Sequence, residues 1–377
     1  MVWYGTYSKR IKLDIDYTGG IGGSVTHFPI AIHLSGSNGD STKVFEELTT
    51  NSRKFAIATS GSNPTELKCE VDFWDYDSGT VADSHALIHA STASWTIDAD
   101  ESVYIYYDSG SDDNPNVGDD PDDAVSNAVW DSNFDMVHHM NDYPANTVIH
   151  DSTANNQDGA KKGGGEPAET KYAFGYGQKA DGVDDYINLG TVPSSDTFTL
   201  SLLMPNKGTM TRGNIYARNL AANVYPPFGF YFRDSNLNVQ SYIGDINAIS
   251  TYAAVTNNDL YTIVADYPSV KVYKNGASSP TGDFTFTNHL DDHPEYTTQL
   301  FRMGADTTTV NYDDCALGEA RLSSVVRSVA WGIGTYNAIT DKLLTYGTEE
   351  TAPGPLIGDI DSIYGVSTTK ITSLYGI

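Results

Sequence analysis

Three short stretches hold residues whose types and spacing suit chemistry. In "CEVDFWD", Cys69 to Asp75, the residues Glu70, Asp72 and Asp75 approach an E-x-D-x-x-E arrangement. A retaining glycosidase uses two carboxylates roughly 5 to 5.5 Å apart, one as nucleophile and one as acid/base. Here the third position is the shorter Asp75, and strand alternation puts it on the face opposite Glu70 unless a bulge intervenes. No catalytic residue is assigned on this basis. In "VHHMNDYPANTVIHDSTANNQDG", Val137 to Gly159, adjacent His138 and His139 leave opposite faces of a strand and cannot chelate one ion together. A zinc site would need His150 and an acid folded back beside one of them, whereas a packed, hydrogen-bonded histidine is the plainer expectation. The loop that follows offers Asp151, Asn155 and Asp158, oxygen donors on a turn-forming segment, which is the ligation calcium prefers. A structural calcium on these three is the metal expectation, although the spacing is not that of an EF-hand and Asx-rich turns commonly satisfy only their own backbone. In "DGVDDYINLG", Asp184 and Asp185 either bind an ion or cap a turn.

The elements that must position these residues are strands. "KRIKLDIDY" places Ile11, Leu13 and Ile15 on one face, and "FPIAIHL" and "SVYIYYD" alternate in the same way. "STKVFEELTT", Ser41 to Thr50, is a short helix with Ser41 as its cap. Between Asp108 and Ala128 the chain carries seven Asp, two Pro and no Lys or Arg, which predicts an extended acidic linker and a domain boundary. From Val129 onward short strands separated by Gly, Asn, Asp and Pro clusters indicate a second sandwich or jelly roll. "TEETAPGPLIG" then leads to two copies of one pattern, "IDSIYGV" at 360–366 and "ITSLYGI" at 371–377. Two copies are too few for a solenoid, so a flexible tail or a docking peptide is expected.

Composition bounds the function. Of 377 residues, 22 are Lys or Arg and 49 are Asp or Glu, a net charge of −27 with no basic cluster, so nucleic acid is disfavoured as a partner. No apolar run approaches a membrane span, and "MVWYGTYSKRIKLDI" lacks a signal peptide's apolar core, which predicts a soluble chain without its own secretion signal. Cys69 and Cys315, without neighbours at zinc spacing, are expected as buried free thiols, with one long-range disulfide as the alternative. No G-x-S-x-G elbow, Walker loop, H-E-x-x-H or paired C-x-x-C occurs, which removes the commonest hydrolase, nucleotide and zinc assignments.

Two family resemblances extend this. "WYGTYSKRIKLDID", "HFPIAIHL", "CEVDFWDYDSGT" and "ESVYIYYDSG" resemble a bacterial and viral domain family of unknown function over residues 1–110. "VWDSNFDMVHHMND", "DSTANNQDGA", "ADGVDDYINLG", "FTLSLLM", "VKVYKNG" and "LGEARLSSVVRSVAWGIGTYN" resemble the concanavalin A-like, LamG-type jelly roll. The family has Trp-His where this chain has His138-His139, which makes His139 the matching position. The organisation implied is all-β: a β-sandwich at 1–110, an acidic linker at 111–128, a jelly roll at 129–347 and a tail at 348–377. The resemblance also implies that "ALGEARLS" returns beside the first strand of the jelly roll, where alternation with Ala320 and Leu322 puts Glu319 and Arg321 on one face. The tail copies resemble C-terminal repeats in structural proteins of tailed bacteriophages. Together these imply a non-enzymatic protein on the virion surface, homo-oligomeric in the particle, docked to other virion proteins by its tail. Its second domain would then contact a host-surface glycan or surface protein. Stacking candidates are Tyr216, Tyr225, Phe228, Phe230 and Tyr231. The alternatives are a purely structural decoration protein and a jelly-roll glycoside hydrolase.

Overall fold

The computed structural model describes residues 3–142, 147–191, 195, 197–209, 212–218, 228–233, 236–241, 248–285, 300–303, 314–353, 362–363 and 366–367. The expected all-β class is borne out, with several antiparallel sheets arranged as β-sandwiches. Among the described residues no helix is long and apolar enough to cross a membrane.

Two four-stranded sheets share the first core. One runs in the order Leu344–Thr351, Lys9–Ile15, Glu101–Tyr107, Phe55–Thr59; the other in the order Ile30–Leu34, His85–Ser91, Lys68–Asp75, Val117–Gly118. Alternation sends Ile11, Leu13 and Ile15 inward with Val103, Ile105 and Tyr107. On the reverse face Tyr104 and Tyr106 are covered by Trp3, Tyr4 and Tyr7, and the Arg10 guanidinium lies 4.4 Å from the centre of Trp3 and 4.2 Å from that of Tyr104. In the second module a six-stranded sheet, Phe134–His138 to Gly282–Thr285, packs against an eight-stranded one that starts at Val148–Ile149. Their shared core includes Met136, Ile149, Leu189, Leu200, Ile263 and Leu322. Glu319–Ser323 does return beside Phe134–His138, pairing Val137 with Arg321 and His138 with Ala320.

Three expectations need correction. The acidic stretch is not an extended linker: Val117–Gly118 adds a parallel strand to Lys68–Asp75, and Ala124–Asn127 is a short helix. Small residues alternate with the acids, so Asn114, Val117 and Ser126 are buried while Asp112, Asp113 and Asp122 face water. Nor does the second module end at 347. The strand Leu344–Thr351 runs through that boundary and closes the first sheet, pairing Leu344 with Ile15 and Thr351 with Lys9. Its partner strand carries the apolar alternation, and an uncovered edge there would leave backbone amides unpaired. Ser41 precedes the helix Thr42–Leu48 without capping it by its side chain; its hydroxyl instead donates to the Ser35 carbonyl at 2.7 Å.

The modules are fused, because the first core continues across the boundary through Val129, Trp130, Phe134 and Val137. The helix Val329–Ile339, capped by Ser328 accepting from the Trp331 amide, also presents Trp331 and Ala338 to this core. Gly334 permits its close approach, since a Cβ there would meet Phe28 at 2.9 Å. Both cysteines are buried, as expected, Cys69 as a free thiol. Of the tail, Ser362–Ile363 pairs with Val366–Ser367; the second copy at 371–377 lies outside the described residues.

Candidate functional site at the seam between the modules

The Lys68–Asp75 strand carries the seam. Its register against His85–Ser91 slips between Val71 and Phe73, so a bulge falls at Asp72. A bulge adds a residue to one strand and re-aims the side chains that follow. Glu70, ahead of the bulge, and Asp72, within it, are both buried, and the slip brings Asp75 onto the face of Glu70, half-buried at the mouth of a cleft.

Glu70 accepts a hydrogen bond from Trp130 Nε1 at 2.7 Å and lies 3.4 Å from His139 Nε2. His139 Nδ1 is 3.1 Å from Glu319 Oε2 and 4.0 Å from Asp72 Oδ2, and Glu319 accepts from Arg321 Nε at 2.6 Å. His89 stacks on His139 with centroids 4.6 Å apart and planes 9° apart. The first module thus supplies Glu70, Asp72 and His89, and the second supplies His139, Glu319 and Arg321. Burial works against a charged His139, but Glu319, Asp72 and Glu70 outweigh it and hold the imidazole well above its ordinary value. Burial likewise opposes ionised Glu319, yet His139 and Arg321 hold its carboxyl down at about 2. Asp72 is pushed up to about 7 by burial, with Glu319 and Glu70 adding to it and His139 opposing. Burial, His139 and Arg321 keep His89 far below the usual histidine range, so it is neutral.

Asp72 is also the point where this buried network meets solvent. It lines an open cleft of about 690 Å³ together with Phe73, Trp74, Asp75 and Tyr76 from the same strand. Opposite stand Asn141, Asp142, Glu169 and Tyr176 of the second module, with Asp119 at one side. The Tyr176 hydroxyl donates to Asp75 Oδ2 at 2.5 Å, and its ring packs edge-on against Phe73. Lys171 and His85 approach the same carboxylate at 3.5 and 3.3 Å. Trp74 is anchored by stacking on Phe55 and by donating from Nε1 to the Thr49 carbonyl. Half-buried aromatic rings beside fixed acceptors can stack on a flat apolar face and accept hydrogen bonds from hydroxyl groups.

Of the anticipated metal residues, Asp151 is committed to the backbone. Its carboxylate accepts from the amides of Val137, Thr153 and Gln157 and from the Thr153 hydroxyl, at 2.8 to 3.1 Å. Asn155 turns its amide nitrogen to the carbonyls of Phe134 and Asp135, and Asp158 accepts from the Asp151 amide. Asp151 and Asn155 thereby pin the loop to the Phe134–His138 strand, and Asp158 braces it from within. His138 and His139 do point apart, His138 to the Gln157 carbonyl and His139 to the seam. His150 has folded back beside acids, with Nδ1 3.8 Å from both Asp122 and Asp158. Among the described residues, sets of side chains close enough to share a metal ion are Asp72, His89 and His139; Asp122, His150 and Asp158; and Asp181, Asp184 and Asp185.

The stacking candidates at 216, 228, 230 and 231 fall on the paired strands Arg212–Arg218 and Phe228–Arg233. Position 216 pairs with 229 and position 231 with 214, which puts 216 and 231 on one face of the sheet; 228 and 230 fall on the other. Tyr225 lies outside the described residues. Sequence reasoning missed Asn141, Asp142, Glu169 and Tyr176. The last two sit on the hairpin Ala168–Tyr172 and Gly175–Lys179, whose alternating Tyr172, Phe174 and Tyr176 were its only signal.

No protein-family model matches the chain, and no curated protein matches it. Among solved structures, the chain is similar to the binding domain of Paraclostridial Mosquitocidal Protein 1, with 11% identity, a TM-score of 0.42, and 55% of this chain and 52% of that chain covered. It spans about half the length of that structure. It is also similar to domain 4 of AbnA, a GH43 extracellular arabinanase from Geobacillus stearothermophilus, solved with arabinotriose. There the identity is 17% and the TM-score 0.40, covering 56% of this chain and 98% of that one. A third likeness is to the botulinum neurotoxin serotype D binding domain, with 11% identity, a TM-score of 0.40, and 54% and 51% covered.

Proposed function

We propose that this protein is a non-enzymatic carbohydrate-binding protein whose ligand lies in the seam cleft. The observation that carries this is the cleft itself, where Phe73, Trp74, Tyr76 and Tyr176 stand beside the acceptors Asp75, Asp142 and Glu169 in one open space of about 690 Å³. Aromatic rings take the apolar face of a pyranose, and carboxylates accept from its hydroxyls. The acidic rim repels uronate and sialate groups, so the ligand is a neutral or cationic sugar. The finer reading is display on a phage particle, with the two tail copies docking to other virion proteins; it rests on the resemblance of the tail.

A glycan array spanning neutral, amino and acidic sugars tests the binding reading, followed by calorimetry on hits. Neutral or amino sugars should bind, and Tyr176→Ala and Asp75→Asn should each weaken binding about tenfold or more with the fold retained. Silence across the array, or binding untouched by both substitutions, would move the protein to the structural decoration class.

A hydrolytic reading is favoured by one observation, that Asp72, pushed up to about 7, shares the cleft with Asp75. Sugar release from a polysaccharide panel that disappears in Asp72→Asn would establish it in place of simple binding.

A further inference from the structure

The turn Asp181–Asp185 of the second module holds three carboxylates, and each contributes one oxygen to a group whose members all lie within 4.8 Å of one another. Each carboxylate spends one oxygen on backbone. Asp181 Oδ1 accepts from the amides of Val183 and Asp184, Asp184 Oδ2 from that of Gly164, and Asp185 Oδ2 from that of Asp181. The second oxygen of each is left over.

Asp185 provides an independent observation. It is only 3% exposed, and its Oδ1 is buried without any hydrogen-bond partner. A buried acceptor left unmatched costs roughly 1–3 kcal/mol, more when charged, and such an atom in a native fold calls for an explanation. Nor is a neighbouring ammonium paired with it: Lys161 reaches Asp142 at 2.8 Å, and Lys179 pairs with Asp314. The facing loop is shaped around this oxygen, since a Cβ on Gly163, whose φ is +140°, would fall 2.3 Å from Asp185 Oδ1.

We propose that Asp181, Asp184 and Asp185 form a binding site for a divalent cation of the oxygen-seeking class, calcium. Calcium takes oxygen ligands at about 2.3–2.6 Å, so two ligands on opposite sides of one ion stand about 4.6–5.2 Å apart. Three carboxylate oxygens within 4.8 Å of one another are close enough to share one such ion. Calcium tolerates the irregular geometry of carboxylates on one turn, whereas magnesium demands near-ideal octahedral ligation, and the absence of sulfur or imidazole disfavours zinc. The ion supplies the missing partner of Asp185 Oδ1 and offsets the repulsion among three carboxylates.

The test uses the full chain freed of metals with EDTA and titrated with calcium chloride by calorimetry, alongside thermal melts. One saturable calcium site is expected, with a melting temperature that rises on adding calcium. Asp181→Asn and Asp184→Asn should each weaken calcium binding about tenfold or more, and Asp185→Asn should abolish the calcium-dependent rise. Asp158→Asn, in the other acidic loop, should leave binding unchanged. Because Asp181 and Asp184 are more exposed than Asp185, their variants keep the test decisive if Asp185→Asn fails to fold. No binding at millimolar calcium, tighter binding of magnesium or zinc, or calcium binding untouched by all three substitutions would overturn the proposal.

Discussion

At the residue scale, the seam network sets what substitution and pH should do. Glu319 touches both His139 and Arg321, so Glu319→Gln leaves two buried cations without their shared carboxylate. Breaking a buried ion pair from one side costs roughly 3–5 kcal/mol, and a fall of that size in unfolding free energy by urea titration is expected. The same network makes stability depend on pH. Asp72 has a folded value of about 7, above its unfolded value of about 3.9, so the folded state holds the extra proton between them. Its contribution is present below the unfolded value and is lost as pH rises to about 7. His139, raised well above its ordinary value, acts in the same direction at higher pH. Wild type should therefore lose stability relative to Asp72→Asn as pH rises from about 4 to above 7, measured by melts across that range. Much of this was legible in part: the alternation that paired Glu319 with Arg321 and separated His138 from His139 is a property of any strand. The bulge at Asp72 was not, because Val-Asp-Phe carries no Gly or Pro to mark it, and the slip appears only in the register with the partner strand.

At the element scale, the return strand Leu344–Thr351 decides whether the first sheet is complete. It covers the outer edge of Lys9–Ile15, pairing along its length, and brings Glu350 to Arg10 at 2.5 Å. A chain ending at residue 343 would expose that edge and the apolar row behind it, which is a template for intermolecular pairing. Such a truncation should melt at lower temperature and elute as aggregates in size-exclusion chromatography; a monomer of unchanged stability would contradict the role given to the strand. This element was hidden in the sequence because "LLTYGTEET" runs into a Pro/Gly stretch and its partner lies far upstream. The acidic segment misled for a related reason. Its charge density suggested solvation, but Val117 is buried and its neighbouring acids point outward.

At the scale of the whole molecule, the two modules should unfold as one. The first core takes in Trp130, Phe134 and Val137 from beyond the segment expected to be a linker, and the buried network joins both sides. All five tryptophans, Trp3, Trp74, Trp95, Trp130 and Trp331, belong to the first core, its outer aromatic layer or the seam helix. Tryptophan fluorescence therefore reports on that half, and far-ultraviolet circular dichroism on all strands. Coincident thermal transitions by the two probes are expected; two separated transitions would show independent modules. The long closure of the first sheet also has a consequence on the ribosome. Lys9 must wait for Thr351 before its strand is paired on both sides. At about 5–20 residues per second, that interval is roughly 20–70 s of translation with an open edge. Over that interval the edge is open to pairing with other chains, and slowing the chain's synthesis should lower the yield of native protein.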